Sequence, residues 1–315
     1  MTRLLVATGA SLVRATDAEG ELLLERPGLH AVAVDARRPE RIAAGSRGAG
    51  VWTSDDGGAT WADAGLPAPD VFSVAFGPDG ALYAGCEPSA LYVRRENEPW
   101  RELAALRELP SAPTWSFPPR PWTSHVRWIA PSPHEAGLVL VGIELGGLMR
   151  TTDGGETWAD HRPGAQPDVH ALAWHPTEPG RAYEAAGGGA AWSRDGGETW
   201  EPADDGRDRH YTWALAVDPS DPDRWYVSAA PGPFEAHGDR PARAGLWRWS
   251  AGGPWEELDL GLPRPLETMP YALAWADGRL VAGLRDGRLL ESDDAGETWR
   301  SLEVAGLHRV VAMAA

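Results

Sequence analysis

The sequence predicts an all-β fold, a β-propeller of seven four-stranded antiparallel blades, and three observations lead to it. The motif S-x-D-x-G-x-T-W occurs four times in 315 residues, and a motif that recurs at related intervals indicates a repeat architecture. Its closing tryptophans are separated by 97, 42 and 99 residues, so each long interval has room for two repeats. Short apolar runs alternate with turns rich in Gly, Asp and Pro, without helical periodicity. The four motifs are Ser54–Trp61, Thr151–Trp158, Ser193–Trp200 and Ser292–Trp299.

A degenerate copy of the motif is expected inside each long interval. Val93–Trp100 keeps the spacing but lacks the Asp and Gly, and Trp249–Trp255 is a shortened version. Each repeat then has one internal order: an apolar strand ending in a turn, a strand ending in small residues, a strand leading into the motif, and a strand after its Trp. Four short strands in some forty residues are typical of one propeller blade.

The two chain ends together supply the seventh blade. Six repeats begin near residues 29, 70, 125, 169, 209 and 269. Leu4–Thr8, Leu12–Ala15 and Leu22–Glu25 read as the second to fourth strands of a further blade, and Val310–Met313 as its missing innermost strand. Closure by the C-terminal strand would leave no open sheet edge. Residues 1–315 are therefore expected to form a single domain.

The Asp of each motif is predicted to be structural. A carboxylate can accept backbone N–H bonds across a tight turn, Gly supplies the backbone angles, and the Ser and Thr hydroxyls tie the hairpin. The Trp is expected to pack between sheets. Catalytic roles are therefore not assigned to Asp56, Asp153, Asp195 and Asp294.

Composition limits the classes of partner. The formal net charge is −17 with a pI near 4.9, which argues against nucleic acid or an anionic membrane. Cys86 is the single cysteine, so neither a disulfide nor a thiolate metal cluster is expected. No targeting or membrane-spanning segment is evident. A soluble, cytoplasmic protein is expected.

With its motifs, their spacing and the closure by both termini, the chain resembles the BNR/Asp-box β-propellers over essentially its whole length. That group includes sialidases, xyloglucan-active glycosidases, the sortilin-type receptor domain and photosystem II assembly factors. The resemblance implies the fold and says little about chemistry, because the same fold hosts enzymes and scaffolds.

Resemblance to the sialidases would imply an Arg-Ile-Pro signature, a three-arginine clamp and a Tyr/Glu nucleophile pair. The nearest string to the signature is Arg41-Ile42-Ala43, on a predicted second strand. Tyr271, with Glu267 four residues before it, imitates only one fragment. Sialidase activity is therefore not favoured.

The ligand face is expected where innermost strands begin and second strands end. Aligning the first strands places one residue of each repeat in a common register, with blade 4 ambiguous between Val126 and Arg127. His125, His210 and His308 lie immediately upstream of this register. The aligned residues are His30, Phe72, His170, Trp213, Tyr271 and Arg309.

Three interpretations of this histidine-rich rim stay open. The side chains could fill a wet channel and bond to backbone carbonyls. They could form a pocket for a polar ligand, with Trp213, Tyr271 and Trp122 as stacking surfaces and Arg127, Arg209 and Arg309 as anion-binding groups. They could also hold a divalent metal ion, through three of His30, His125, His170 and His210.

Two insertions enlarge the rim. Leu109–Ser124 is rich in Pro and aromatic residues, and Ala230–Ala244 carries Phe234, Glu235 and His237. Long loops in an economical repeat are usually functional or disordered. They are expected to cover a pocket, and deletion of Pro231–Arg243 is expected to leave the melting temperature nearly unchanged.

A glycosidase would need two carboxylates about 5 to 9.5 Å apart on this face. Glu144 directly follows a second strand, beside glycines that would permit close approach of a ligand. Glu144 and Glu267 are the candidate catalytic residues. The other available carboxylates are Glu87, Asp168, Asp208 and Asp239.

The sequence favours a non-catalytic propeller that binds a small polar ligand, a carbohydrate or a protein partner at the channel mouth. The alternative is a glycoside hydrolase or lyase acting on carbohydrate at the same face, with or without a metal ion. The residues alone do not decide whether the chain is an enzyme.

Overall fold

Seven antiparallel sheets surround a central channel in the computed structural model, which describes residues 4–16, 19–117, 123–251 and 253–315. Each sheet is one blade, and blade 1 is the one that contains the N-terminal strands. Strands β1 to β14 belong to blades 1 to 4. They are β1 (Leu4–Ala7), β2 (Ser11–Ala15) and β3 (Gly20–Glu25); β4 (Leu29–Asp35), β5 (Arg38–Ser46), β6 (Gly50–Ser54) and β7 (Ala62–Asp63); β8 (Val71–Phe76), β9 (Leu82–Cys86), β10 (Ala90–Arg94) and β11 (Arg101–Glu102); and β12 (Val126–Pro131), β13 (Val139–Ile143) and β14 (Gly147–Thr151).

The remaining strands complete blades 5, 6 and 7 and, with the last strand, blade 1. Helices are short and lie in the two insertions or directly before the first of them, and none in the described residues has the length and apolar character needed to cross a membrane. They are two 3-10 helices, Ala104–Glu108 and Ala112–Thr114, and α1 (Pro233–His237). The strands are β15 (Val169–Trp174), β16 (Ala182–Ala186), β17 (Gly189–Ser193) and β18 (Glu201–Pro202); β19 (Tyr211–Val217), β20 (Arg224–Ala230), β21 (Gly245–Ser250) and β22 (Glu256–Glu257); β23 (Pro270–Ala276), β24 (Arg279–Leu284), β25 (Leu289–Ser292) and β26 (Arg300–Leu302); and β27 (Ala312–Ala314).

The two chain ends close the ring, as the sequence predicts. β27 pairs antiparallel with β1, so that Ala314 lies opposite Leu5 and Ala312 opposite Ala7. The Val311 N–H donates to the Ala7 carbonyl at 2.8 Å. The pairing begins two residues later than the predicted Val310–Met313 strand, because Val310 packs its side chain, fully buried, into the core between blades 1 and 7.

Blade 4 differs from the four-stranded prediction in the described residues. Its sheet has three strands, and a single bridge between Arg150 and Ala159 takes the place of the fourth. Immediately after this bridge, Asp160 accepts hydrogen bonds from the N–H and hydroxyl of Ser111, at 3.1 and 2.5 Å. The chain therefore leaves the sheet edge to hold the 109–124 insertion.

The Asp boxes are hairpin ties, as predicted. In blade 5, Asp195 accepts the Ser193 hydroxyl at 2.8 Å, the Thr199 N–H at 2.9 Å and the Thr199 hydroxyl at 2.6 Å. Burial alone raises the pKa of Asp195, but the hydrogen bonds from Thr199 and Ser193 outweigh it and hold that pKa below its usual range. Trp200 closes the box by donating to the Gly197 carbonyl. The other three boxes repeat the same carboxylate bonds.

The degenerate copies keep the tryptophan but change its hydrogen bond. Trp100 donates to the Ala64 carbonyl at 2.8 Å and Trp255 to the Ala203 carbonyl at 2.7 Å. Both acceptors follow the outer strand of the preceding blade. Without the box turn, each tryptophan ties its blade to the previous one, which explains why the residue persists where the Asp and Gly are lost.

One carboxyl is buried without full pairing in blade 5. Glu184 on β16 is 0% exposed; its Oε2 accepts the Gln166 N–H at 3.0 Å, and its Oε1 has no hydrogen-bond partner in the described part of the chain. Burial raises the pKa of Glu184 to about 8, although the Gln166 hydrogen bond opposes this. The folded state therefore holds a proton that the unfolded chain releases above about pH 4.5.

Replacing Glu184 by Gln should stabilise the protein in a pH-dependent way. Because the folded pKa is raised, the wild type loses stability as pH rises from about 4.5 to about 8, a loss of about 3 kcal/mol at pH 7. We expect the urea midpoint of Glu184→Gln to exceed that of the wild type at pH 8 and to match it near pH 4.5. The exposed Glu201→Gln variant of the same blade is the control. An equal difference at both pH values would contradict the assignment.

Candidate functional site

A β-bulge lies at the start of six innermost strands, and four of the residues at these bulges border the channel mouth. The register between first and second strand shifts at this point in blades 2 to 7, so one extra residue stands on the inner strand. Bulges re-aim side chains and are frequent next to active sites. In blade 4 the extra residue is Arg127, whereas Val126 pairs with Ile143, and this resolves the ambiguity left by the sequence. The residues at the shifts are His30, Phe72, Arg127, His170, Trp213 and Tyr271.

The channel mouth contains a pocket of about 280 Å³. Three guanidinium groups border it, those of Arg47, Arg127 and Arg309, and the described residues contribute no carboxylate to its wall. Trp213 and Tyr271 supply aromatic surface, and a second cavity of about 130 Å³ continues below it along the inner strands. We call the pocket of about 280 Å³ at the mouth the arginine pocket.

The arginines make the pocket electropositive. The Arg127 guanidinium lies 4.5 Å from the Trp213 ring centroid, and that of Arg47 lies 4.5 Å from the ring of Phe72. Burial, followed by the charges of Arg127 and Arg47, lowers the pKa of His30 to about 3. His30 is therefore neutral at physiological pH and adds no charge of its own.

Beside the pocket, Glu144 is the centre of a buried polar cluster. Its Oε2 lies 2.6 Å from His125 Nε2 and 3.5 Å from Arg127 Nε. Burial raises the pKa of Glu144, but the hydrogen bond to His125 and the charges of His170 and Arg127 outweigh burial and bring it to about 2. Glu144 is therefore ionised at neutral pH.

The glycines after Glu144 serve packing rather than ligand approach. A Cβ on Gly146 would lie 2.4 Å from the Ile143 side chain and 2.9 Å from that of Trp115. Gly147 has φ of +104°, and a Cβ there would meet His161. Trp115 belongs to the 109–124 insertion, so Gly146 seats that insertion against blade 4.

His170 and Asp168 complete the cluster. His170 is fully buried, and its Nδ1 lies 2.6 Å from the Thr212 carbonyl. Its Nε2 lies 3.6 Å from Asp168 Oδ2 and 3.9 Å from Glu144 Oε1. Among the described residues, this is the group of three or more His, Cys, Asp or Glu side chains whose candidate ligand atoms converge, all within 4.8 Å of one another.

The 230–244 insertion forms a lid that is anchored in the core. His237, at the end of α1, lies 2.8 Å from the Tyr211 hydroxyl through Nε2 and 2.8 Å from the Tyr271 hydroxyl through Nδ1. Burial and the charge of His170 lower the pKa of His237 to about 4. Ala236 and Ala242 are buried among core residues of blades 6 and 7. Deleting this segment would expose that core, so the expected indifference of the melting temperature does not fit the structure.

The 109–124 insertion reaches the cluster at its described ends. Phe117 contacts His125 edge-on with ring centroids 5.0 Å apart, and the Thr123 hydroxyl donates to Glu87 at 2.6 Å. Glu87 Oε2 lies 3.7 Å from His125 Nδ1. Trp122, a proposed stacking surface, lies outside the described residues.

Several residues proposed from the sequence belong neither to the arginine pocket nor to the polar cluster around Glu144. Glu267 is exposed, and its backbone carbonyl accepts the Ala242 N–H at the foot of the lid. His210 is exposed, and Arg209 pairs with Glu257 at 3.1 Å rather than pointing to the pocket. Asp208, Asp239 and His308 are exposed as well.

The proposed three-histidine metal set is not assembled. Of His30, His125 and His170, only His170 belongs to the converging group. His125 Nε2 is occupied by Glu144, and the His30 ring contacts Phe72 edge-on at 5.4 Å. The bulges place these rings on separate blades, each against its own neighbour.

Sequence reasoning missed Arg47, Arg285 and the hydroxyl of Tyr211. Arg47 directly follows β5, as Glu87 follows β9 and Glu144 follows β13, and Arg285 directly follows β24. Arg285 donates to the Gly238 carbonyl of the lid at 2.7 Å. Aligning the ends of the second strands would have found Arg47 and Arg285.

Comparison with known proteins finds one Asp-box repeat and several propellers of similar fold. A family model described as BNR/Asp-box repeat matches residues 191–202, and a search of curated proteins finds no match. A structure of YCF48 bound to a D1 peptide aligns with a TM-score of 0.60 and 18% identity over 95% of this chain and 85% of that one. An ancestral GH74 enzyme aligns at 0.67 and 15% over 95% of this chain and 40% of that one. The Niastella koreensis GH74 enzyme aligns at 0.69 and 14% over 94% and 51%. This chain thus spans about half or less of the two GH74 enzymes, and at these identities the likeness shows the fold alone.

Removing the His237 ring should loosen the lid. We expect His237→Ala to lower the free energy of unfolding by about 1–2 kcal/mol, because the two tyrosine hydroxyls each lose a hydrogen bond. The control is Phe234→Ala on the same helix, whose side chain is 84% exposed. Urea denaturation should give a change within about 0.5 kcal/mol for this control. Equal losses in both variants would show that His237 does not anchor the lid.

Proposed function

We propose that this seven-bladed propeller of BNR/Asp-box repeats is a non-catalytic binding protein that holds the free C-terminal carboxylate of a protein partner in the arginine pocket. The observation that carries the proposal is a mouth bordered by Arg47, Arg127 and Arg309, with no carboxylate among the described lining residues; Arg127 also pairs with Glu144, which lies outside the lining. Guanidinium groups bind carboxylates through paired, charge-assisted hydrogen bonds.

The electrostatics of the pocket support an anionic ligand. The chain as a whole carries a formal charge of −17. The arginines at its axis therefore form a local positive region in an otherwise acidic protein. The charges of Arg127 and Arg47 contribute to lowering the pKa of His30 to about 3. A carboxylate placed there would meet three guanidinium groups, because Arg127 is buried and Arg47 and Arg309 are exposed at the rim of the same pocket.

The shape of the pocket supports a chain end rather than a mid-chain segment. The lid carries His237 into the pocket wall, and Trp213 and Tyr271 form the adjacent walls. A pocket closed on one side accepts a terminus, whereas a continuous strand would need an open groove. That YCF48 was solved bound to a D1 peptide supports the choice of a peptide as ligand.

The alternative, hydrolysis or elimination on a carbohydrate, has less support from the site. Inverting and retaining glycosidases both need one protonated carboxylic acid near a second carboxylate. Glu144 is held ionised with a pKa of about 2 and bonds to His125, so it is not a proton donor. Glu267 is exposed beside the lid and is not in the cluster. The likeness to GH74 enzymes concerns the fold.

Peptide binding by fluorescence polarisation tests the proposal. A library of free-carboxyl decapeptides would be screened, and each hit resynthesised as its C-terminal amide. We expect the acid to bind and the amide to bind at least about tenfold more weakly, because a hydrogen bond to a charged group contributes about 1.5–3 kcal/mol. Affinity should also fall with added salt.

Two arginine variants locate the binding site. Arg309→Gln should weaken binding by about tenfold, by loss of one such bond. Arg38→Gln removes the same charge from an exposed side chain paired with Glu96, outside the pocket, and should bind like the wild type. Equal affinity for the free-carboxyl peptide and its C-terminal amide would contradict the proposal. Turnover of an oligosaccharide that is lost in Glu144→Gln would favour the hydrolase instead.

A further inference from the structure

We propose that Glu144, Asp168 and His170 form a binding site for a divalent first-row transition metal ion such as Zn²⁺. The site lies beside the arginine pocket and is separate from the proposed peptide-binding role. Its three candidate ligand atoms lie within 4.8 Å of one another. One imidazole and two carboxylates form a mixed N/O donor set that suits Zn²⁺ or Mn²⁺ and leaves coordination positions for water.

The hydrogen bond on the far side of His170 fixes which nitrogen faces the cluster. Nδ1 lies 2.6 Å from the Thr212 carbonyl, which can only accept, so Nδ1 carries the proton. Metal-binding histidines are typically oriented by such a bond from the other ring nitrogen to a carbonyl. Nε2 then points at Asp168 Oδ2, 3.6 Å away, and Glu144 Oε1, 3.9 Å away.

Two polar atoms of the proposed metal site lack hydrogen-bond partners within the described chain. His170 is 0% exposed, and its Nε2 makes no hydrogen bond; neither does Asp168 Oδ1. A neutral imidazole would direct its lone pair at two carboxylates, which is repulsive. A proton on Nε2 would leave both carboxylates beyond normal hydrogen-bond distance, about 3.2 Å at most. A cation between the three atoms removes both problems.

The spacing is close to that of a metal site. With metal–ligand bonds of about 2.0–2.1 Å, ligands around a tetrahedral ion are about 3.3 Å apart. The observed 3.6 and 3.9 Å from His170 Nε2 to the two carboxylates exceed this by a few tenths of an ångström, and all three ligand atoms lie within 4.8 Å of one another. Glu144 Oε2 is engaged by His125 and Arg127, which orients the carboxylate and leaves Oε1 free.

Charge and backbone also fit a cation. The cluster and its neighbours bring together three carboxylates, those of Glu144, Asp168 and Glu87, and the guanidinium of Arg127, which lies 3.5 Å from Glu144. Gly187 makes room for Asp168, since a Cβ there would lie 1.9 Å from Asp168 Oδ2. The carboxylates of the cluster outnumber its one guanidinium group, and this local excess of negative charge would attract a divalent ion.

Titration of the EDTA-treated and dialysed full chain with ZnCl₂ tests the site by calorimetry, and Co²⁺ absorption reports ligand geometry. We expect one Zn²⁺ per chain in the wild type. Asp168→Asn and His170→Gln, which keep side-chain size, should each weaken affinity by more than about tenfold. His134→Gln removes an exposed imidazole that contacts the His175 carbonyl, away from the cluster, and should bind Zn²⁺ like the wild type.

Two results of the Zn²⁺ titration would count against the metal site. Absence of a stoichiometric Zn²⁺ site in the wild type would overturn the proposal, as would unchanged affinity in Asp168→Asn. Thermal melting in EDTA shows that each variant is folded; Asp168 is partly exposed, so its variant remains informative if His170→Gln unfolds. The metal titration contains no peptide, and the peptide assay is run in EDTA, so the two proposals fail independently.

Discussion

The antiparallel pairing of β27 with β1 is the contact on which the rest of the molecule depends. It joins the last strand to the first and closes the ring of blades. Gly9 from the start of the chain and Arg309 from its end border the same pocket as Tyr271 of blade 7. Closure is therefore a condition for the arginine pocket as well as for the fold.

Within the closed ring, the side chains at the mouth come mainly from two positions on the strands. Bulges on the inner strands present one set, and the residues directly after the second strands present the other. Arginines gather on blades 1, 2 and 7, and the carboxylates Glu87, Glu144 and Asp168 gather on blades 3 to 5. Arg127 lies between the halves, because it borders the pocket and also pairs with Glu144. One face thus offers an anion site and a cation site side by side.

The parts of this arrangement set by the repeat could be predicted from sequence. Blade number, closure, the role of the box Asp and the register of His30, His170 and Tyr271 follow from a period that every repeat shares. The partners of His237 could not be found in this way, because they depend on how an insertion packs across two blades. Glu184 is a lone carboxyl in a run of small and aromatic residues, and its burial depends on the neighbouring blade. Arg47 was missed because only the starts of inner strands were aligned.

If the arginines on the axis of this acidic protein bind an anion, bromide should enter the pocket. Diffraction at the bromine absorption edge from crystals soaked in bromide would locate it. We expect an anomalous peak in the pocket, in contact with the Arg127 guanidinium and with that of Arg47 or Arg309. Bromide peaks elsewhere on the surface, with none among these arginines, would contradict it.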